Sequence, residues 1–162
     1  VYATPPDPTL TLLSFDFERD PLRLDAYHRV YGTAGDVLLK GFRQRGGKLM
    51  LIHGMADPVI SALQTVDYQQ RVNAAHGGAA AARFVRSFLV PGMNHCAGGP
   101  TTDAFDGLSA LVDWVERDLA PDRLVAHGTA MRPGILRPLC AYPKIARHVG
   151  GDPASADAFA CR

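Results

Sequence analysis

A short apolar run, KLMLIH at positions 48–53, is the feature that most constrains the fold. Its four central residues are all apolar, so a strand formed here carries apolar side chains on both of its faces. Such a strand needs cover on both sides, which is typical of the parallel sheets of α/β proteins. The run therefore favours an α/β fold in which helices pack on the two faces of a sheet.

A second strand and two helices are expected in the order that a parallel sheet requires. The segment 84–90 is rich in aromatic and β-branched residues and ends at a Pro-Gly pair, which predicts a strand. Helices are expected over 62–75 and over 105–119. Thr102 or Asp103 is the expected N-terminal cap of the second helix. Strands joined by helical crossovers of this length lie parallel in one sheet.

The chain is expected to belong to one domain with three regions. Residues 1–45 form a lead-in, in which a helix begins with Asp20 as its cap and a short helix covers 37–42. Residues 46–126 carry the strands and helices just described. Residues 127–162 form a Pro- and Gly-bearing tail without clear periodicity.

Composition narrows the class of protein. The net charge is +1 and the basic residues do not cluster, which argues against nucleic acid or an anionic membrane surface as a partner. No apolar run approaches the ~20 residues needed to cross a bilayer. Three cysteines are present, and in a secreted protein an odd number indicates a free thiol or a partner outside the chain.

Polar residues of hydrolase chemistry follow both strands. Asp57 comes shortly after the first strand and His95 shortly after the second. In open α/β sheets, reacting groups gather beyond the carboxyl ends of the strands. An acid followed by a histidine is the order of the last two members of an α/β-hydrolase triad, Ser, Asp, His. Taken singly, Asp57 is more often a turn residue and His95 more often a surface residue, but the two together, each after a buried strand, favour the catalytic interpretation. His53 is expected to be structural.

No serine of the chain is expected to be the nucleophile of such a triad. A nucleophile elbow needs small residues two positions before and after the serine, and Ser109, for example, is followed at that spacing by a leucine. The other serines fit no better; they are Ser14, Ser61, Ser87 and Ser155. We therefore expect the nucleophile to lie upstream of this chain, and the chain alone to be inactive.

Five stretches of the sequence resemble the tannase and feruloyl esterase family. They are FDFERDPLRLDA (15–26), GGKLMLIHGMADPVI (46–60), FLVPGMNHCAGGP (88–100), FDGLSALVDWVERDLAPDRLVA (105–126) and RPLCAYP (137–143). The resemblance implies the C-terminal part of an α/β-hydrolase fold that follows a lid domain missing from this chain. It further implies a secreted or periplasmic serine esterase that cleaves esters of aromatic acids and uses no cofactor.

The resemblance also implies roles for individual residues. Asp57 matches the triad acid and His95 the triad base. Cys96 matches a cysteine that is disulfide-bonded to the residue preceding the serine. Cys140 and Cys161 match a second disulfide, which clasps the C-terminal tail.

The remaining expectations concern the substrate and partners. Val59 and Ile60 follow the acid directly and are expected to wall the substrate pocket. The expected partners are a small aromatic ester and the missing N-terminal half of the same protein, with no nucleic acid and no membrane.

Two other interpretations of the sequence stay open. His53, Asp57, His95 and Cys96 are residue types that bind zinc, although no pair of them has the spacing of a structural zinc site. Alternatively, the chain is a non-catalytic half-hydrolase that binds a partner through an exposed sheet edge and an apolar face.

Overall fold

The computed structural model describes residues 5–26, 35–95, 97–129 and 134–162. The chain divides into two compact units, Val1–Val37 and Leu38–Arg162. The expected organisation, one domain with a lead-in over residues 1–45, stays a prediction. The residues that carry the candidate chemistry all belong to the second unit.

The first unit contains a 3₁₀ helix, Asp20–Leu24. Asp20 is not its N-terminal cap as expected, because Arg19 occupies that position and the Asp20 carboxylate accepts a hydrogen bond from the backbone N–H of Asp16. Arg23 links this turn to the preceding chain through ion pairs with Asp20 and Asp7.

The second unit opens with a helix–strand–helix–strand arrangement. Its elements are α1 (Lys40–Gln44), β1 (Leu49–Gly54), α2 (Ala62–His76), α3 (Gly78–Ala81) and β2 (Val85–Val90). β1 and β2 pair in parallel, from Leu49 opposite Val85 to Gly54 opposite Val90. The predicted strands and the helix between them are confirmed to within one or two residues.

Helices cover both faces of this parallel pair. The next elements are β3 (Ala104–Phe105) and α4 (Gly107–Arg117). On one face of β2, Ser87 donates a hydrogen bond to Gln69 of α2. The neighbouring Arg86 points to the other face, where it lies over the ring of Trp114 of α4. The side chains of the apolar run in β1 are nevertheless only half-buried, so the expected burial on both faces is met in part.

Helix α4 begins later than expected. Its N-terminal cap is Asp106, whose carboxylate accepts a hydrogen bond from the N–H of Ser109, and not Thr102 or Asp103. Phe105, counted as part of the helix in the sequence analysis, instead lies in β3. A carboxylate at 106 competes successfully because it lies directly before the first helical turn.

The tail contains strands that the sequence did not predict. They are β4 (Arg123–His127), β5 (Leu136–Cys140), β6 (Ala146–His148) and β7 (Phe159–Cys161). β3, β4 and β5 form one antiparallel sheet, and β6 pairs antiparallel with β7. The sheets are therefore not all parallel: β1 and β2 pair in parallel, whereas β3 and β4 pair antiparallel although α4 lies between them in the chain.

A backbone bridge joins the tail to the parallel pair, and a disulfide joins two strands within the tail. Phe88 of β2 forms an antiparallel bridge with Ala141, the residue after β5. The predicted disulfide between Cys140 and Cys161 is confirmed, with a Cα–Cα distance of 5.5 Å, and it joins the ends of β5 and β7.

The main core lies between β2, β4 and β5. Its fully buried members are Phe88, Val90, Met93, Leu124, Ala126, Leu139 and Ala141. Met93 belongs to the loop that follows β2, so this loop is anchored in the core. Within the described parts of the chain, every helix is too short or too polar to cross a lipid bilayer.

Candidate active site

The turn after β1 holds the carboxylate of Asp57 in a fixed orientation. One carboxylate oxygen, Oδ1, accepts hydrogen bonds from the backbone N–H groups of Val59 at 2.7 Å and Ile60 at 3.0 Å. The Asp57 side chain is only 5% exposed. The Ile60 N–H, with the His95 imidazole and the Val59 N–H, outweighs burial and holds the pKa of this carboxyl well below its usual range. Asp57 is therefore negatively charged at neutral pH.

The loop after β2 brings His95 to this carboxylate. Nδ1 of His95 lies 2.7 Å from Oδ2 of Asp57. A charged carboxylate only accepts hydrogen bonds, so Nδ1 carries the proton and Nε2 carries the free electron pair. The His95 side chain is 49% exposed, and no described residue forms a hydrogen bond with its Nε2. The imidazole is thus oriented on one side and open on the other.

Backbone contacts join the two loops directly. The N–H of Ala56 donates to the carbonyl of Met93 at 3.0 Å. Gly54 lies beneath the second loop, where a Cβ atom would stand 2.3 Å from the carbonyl oxygen of Met93 and 2.5 Å from that of Asn94. Only glycine permits this approach, since ordinary carbon contacts begin near 3.4 Å. The residue preceding His95 is therefore placed by β1 as well as by β2.

Asp103 organises the far side of the His95 loop. Its Oδ2 accepts a hydrogen bond from the N–H of Gly98 at 2.8 Å, and its Oδ1 accepts from the N–H and hydroxyl of Thr129. Gly98 in turn accepts a hydrogen bond from the N–H of Asn94. The Gly98 N–H, followed by Thr129, lowers the pKa of Asp103. The sequence analysis missed this role, because nothing in the spacing relates Asp103 to position 129.

His53 lies behind Asp57, at the end of β1. Its Nε2 is 3.3 Å from Oδ2 of Asp57 and 3.0 Å from the carbonyl oxygen of Ile60, and its Nδ1 is 2.7 Å from the hydroxyl of Thr65. The described residues contain no group of three or more His, Cys, Asp or Glu side chains arranged to hold a metal ion. Cys96, the fourth residue of the zinc interpretation, lies outside the described residues.

The other predicted site residues have distinct positions. Val59 and Ile60 have exposed side chains, while their backbone N–H groups hold Asp57. Cys140 and Cys161 form the disulfide of the tail. The lining of a substrate pocket by Val59 and Ile60 stays a prediction.

The chain has five serines, and none of the four in the second unit forms a hydrogen bond with His95 within the described residues. Four have other contacts: Ser14 binds Thr11, Ser61 caps α2, Ser87 donates to Gln69, and Ser155 caps the 3₁₀ helix Ala156–Ala158. The fifth, Ser109, lies on α4 beside its cap Asp106. Within the described residues of the second unit, Asp57 and His95 are thus joined to each other and neither is hydrogen-bonded to a serine.

Comparisons with known proteins place this arrangement in a family. The sequence profile described as Tannase and feruloyl esterase matches residues 1–162. The chain is 47% identical to a mono(2-hydroxyethyl) terephthalate hydrolase of Piscinibacter sakaiensis, over 99% of this chain and 29% of that protein. It is 35% identical to a probable feruloyl esterase of Arthroderma benhamiae, over 85% of this chain and 27% of that protein.

A solved structure agrees with the sequence comparisons. The crystal structure of feruloyl esterase B from Aspergillus oryzae matches with a TM-score of 0.78 and 26% identity, covering 96% of this chain and 34% of that one. The chain thus spans about a third or less of the length of the relatives it matches. On the family profile, the sequence identities and the shared fold, this chain belongs to the tannase and feruloyl esterase family.

Proposed function

We propose that this chain supplies the acid and the base of a serine carboxylic-ester hydrolase. The observation that carries the proposal is the 2.7 Å contact between Nδ1 of His95 and the buried, charged Asp57, which leaves Nε2 open for proton transfer. In a Ser-His-Asp triad the carboxylate holds this tautomer and stabilises the imidazolium that forms during the reaction.

The reaction follows from this geometry in two half-reactions. Nε2 of His95 removes the hydroxyl proton of the nucleophilic serine as the serine oxygen bonds to the ester carbonyl carbon. The same proton then passes to the departing alkoxide, which leaves as the alcohol and gives an acyl-serine. In the second half, His95 deprotonates a water that attacks the acyl group, and it returns the proton to the serine as the carboxylic acid leaves.

The nucleophilic serine of this proposal lies upstream of the chain. Two observations support this part of the proposal: no serine of the second unit is hydrogen-bonded to His95 within the described residues, and the relatives are about three times as long as this chain. In this proposal Cys96 pairs with a cysteine beside that serine, and the whole protein has an α/β-hydrolase fold of which β1 and β2 are two strands. The parallel β1–α2–β2 unit supports this assignment.

The proposed substrates are esters of aromatic acids. Feruloyl esterases and the terephthalate monoester hydrolase, by their names, act on esters whose acyl part is aromatic. The Cys140–Cys161 disulfide supports a secreted or periplasmic location, because disulfides persist in oxidising compartments.

The test uses the complete natural polypeptide that contains this chain. Hydrolysis of methyl ferulate is measured for the wild type and for His95→Ala, with His127→Ala, an exposed histidine on β4, as the matched control. We expect His95→Ala to lower kcat by about 10⁴- to 10⁶-fold, since triad members act as a unit. The control should hydrolyse the ester at the wild-type rate, and residues 1–162 alone should show no turnover above background.

Two results would contradict the proposal. A loss of tenfold or less in His95→Ala would end the assignment of His95 as the base. Absence of ester hydrolysis by the folded complete polypeptide, across ferulate, gallate and terephthalate esters, would instead favour a non-catalytic partner-binding module.

A further inference from the structure

His53 contacts both ends of the turn that carries the proposed acid. Its Nε2 lies 3.0 Å from the carbonyl oxygen of Ile60 and 3.3 Å from Oδ2 of Asp57. Asp57 and Ile60 are also joined to each other, because the Ile60 N–H donates to Oδ1 of Asp57. The imidazole of His53 therefore holds the turn by a side-chain contact, in addition to the hydrogen bonds that the backbone of the turn donates to Asp57.

The proton on the His53 ring is placed by its neighbours. The carbonyl oxygen of Ile60 only accepts hydrogen bonds, so Nε2 carries the N–H. Nδ1 then accepts from the hydroxyl of Thr65 on α2, at 2.7 Å. With a side chain only 13% exposed, His53 is held in one orientation between α2 and the acid. Its N–H is thus donated to the Ile60 carbonyl, while Oδ2 of Asp57 lies 3.3 Å from the same nitrogen without a hydrogen bond to it.

The oxygen that His53 approaches is the one that His95 uses. Oδ2 of Asp57 is 2.7 Å from Nδ1 of His95 and 3.3 Å from Nε2 of His53, whereas Oδ1 is occupied by two backbone N–H groups. Rotation of the carboxylate would break contacts to both histidines at once. A residue that only filled space at the end of β1 would not need a polar atom at this position.

We propose that His53 is a positioning residue: its Nε2–H, donated to the Ile60 carbonyl, holds the turn that fixes the Asp57 carboxylate toward His95, and Thr65 orients the imidazole. The inference rests on the proposed function of Asp57 and His95 and adds a residue to it. His53 does not exchange protons with the substrate in this proposal. It acts only through the direction in which Oδ2 of Asp57 points.

Two amide substitutions separate positioning from a general structural role. In His53→Gln the side-chain NH₂ reaches the place of Nε2, so the donor to the Ile60 carbonyl is kept. In His53→Asn the shorter amide reaches only the place of Nδ1, so the contact to Thr65 is kept and the donor to the Ile60 carbonyl is lost. The two variants are alike in polarity and differ in which end of the imidazole they replace.

The variants are made in the complete natural polypeptide, and kcat, KM and thermal unfolding are measured with methyl ferulate. We expect His53→Asn to lower kcat by about a hundred-fold, the effect of a misplacement of about 1 Å, and His53→Gln to lower it by no more than about tenfold. KM and the unfolding temperature should stay alike in the two variants. Equal kcat in both variants, or a lower kcat for His53→Gln, would overturn the proposal.

Combining His53→Asn with His95→Ala distinguishes a failure of this inference from a failure of the proposed function. In His95→Ala, adding His53→Asn should change the residual kcat by less than about twofold, because the positioned partner is already absent. A further large loss of kcat in the double variant would show that His53 has a structural role. That result would overturn the positioning role of His53 and leave the proposed function standing. If His95→Ala itself leaves kcat unchanged, both the triad and the positioning role are wrong.

If His53→Gln or His53→Asn fails to fold, the proposal is tested with Thr65→Val. Valine keeps the shape of threonine and removes the hydroxyl that orients Nδ1 of His53. The expected result is a kcat loss of about three- to tenfold at unchanged KM, smaller than a full misplacement because Ile60 still accepts the Nε2–H. Wild-type kcat in a folded Thr65→Val protein would overturn the proposal.

Discussion

Replacing Gly54 with alanine tests whether the backbone contact between the two loops sets the activity of the proposed site. The added Cβ would lie 2.3 Å from the carbonyl oxygen of Met93 and 2.5 Å from that of Asn94. Both partners are backbone atoms, and Met93 is anchored in the core, so no flexible side chain relieves the clash. The loop must retreat by about 1 Å to restore an ordinary contact, and overpacking of this kind costs about 1–3 kcal/mol of stability.

The retreat of the loop reaches His95, which follows Asn94 in the chain. A shift of about 1 Å between reacting groups lowers turnover by about a hundred-fold. We therefore expect Gly54→Ala in the complete polypeptide to lose about two orders of magnitude in kcat for methyl ferulate while remaining folded at 25 °C. The cost in free energy of unfolding is measured separately by urea titration.

Gly78→Ala is the matched control for this experiment. Gly78 lies in α3, and a Cβ there would have no atom within 4 Å. This variant should keep the wild-type kcat and stability. If Gly54→Ala also keeps the wild-type kcat, the contact between the two loops does not position His95.

Three further predictions concern the supports of the site. Asp103→Asn should lower kcat by about tenfold or more at unchanged KM, because the loop carrying His95 loses a charged acceptor; unchanged kcat would refute this. Reduction of the Cys140–Cys161 disulfide should lower the free energy of unfolding by about 3 kcal/mol, measured by denaturation with and without dithiothreitol. The lowered pKa of Asp57 means that its contribution to stability is present above the ordinary carboxyl pKa and is lost as the pH falls below about 4, so Asp57→Asn should flatten the acid limb of the stability profile.

The parallel pair was predictable because its sequence pattern is determined by burial. The run in β1 is apolar at successive positions, and helices α2 and α4 cover the two faces as this pattern requires. The meeting of Asp57 and His95 followed from the same reasoning, since the ends of neighbouring parallel strands lie at one edge of a sheet. Their catalytic roles stay a prediction.

Strand β6 of the tail was not predictable for a physical reason. β6 is exposed at all three positions, so no apolar alternation marks it in the sequence. It is held by pairing with β7, whose last residue is tied by the disulfide to the end of β5. Such strands depend on partners that are distant in sequence, and local patterns do not report distant partners.

The contacts of His53 and Asp103 were missed for a similar reason. His53 was expected to be structural, and its neighbours Thr65 and Ile60 become apparent only when α2 folds back over β1. Asp103 was assigned to the cap of a helix, whereas its partner Thr129 lies beyond β4. In both cases the pairing is set by topology and not by spacing.

The partners of Asp57 differ greatly in their separation along the chain. The amides of Val59 and Ile60 are two and three residues away, whereas His95 is 38 residues away. Contacts within a turn close on a submicrosecond timescale, but the contact to His95 requires β1 and β2 to have paired across α2. The turn that holds Asp57 can therefore form early during folding. His95 reaches Asp57 only after β1 and β2 have paired. The imidazole proton on Nδ1 of His95 is consequently a reporter of sheet formation, and its nuclear magnetic resonance signal should appear together with protection of the β1–β2 amides and not before it.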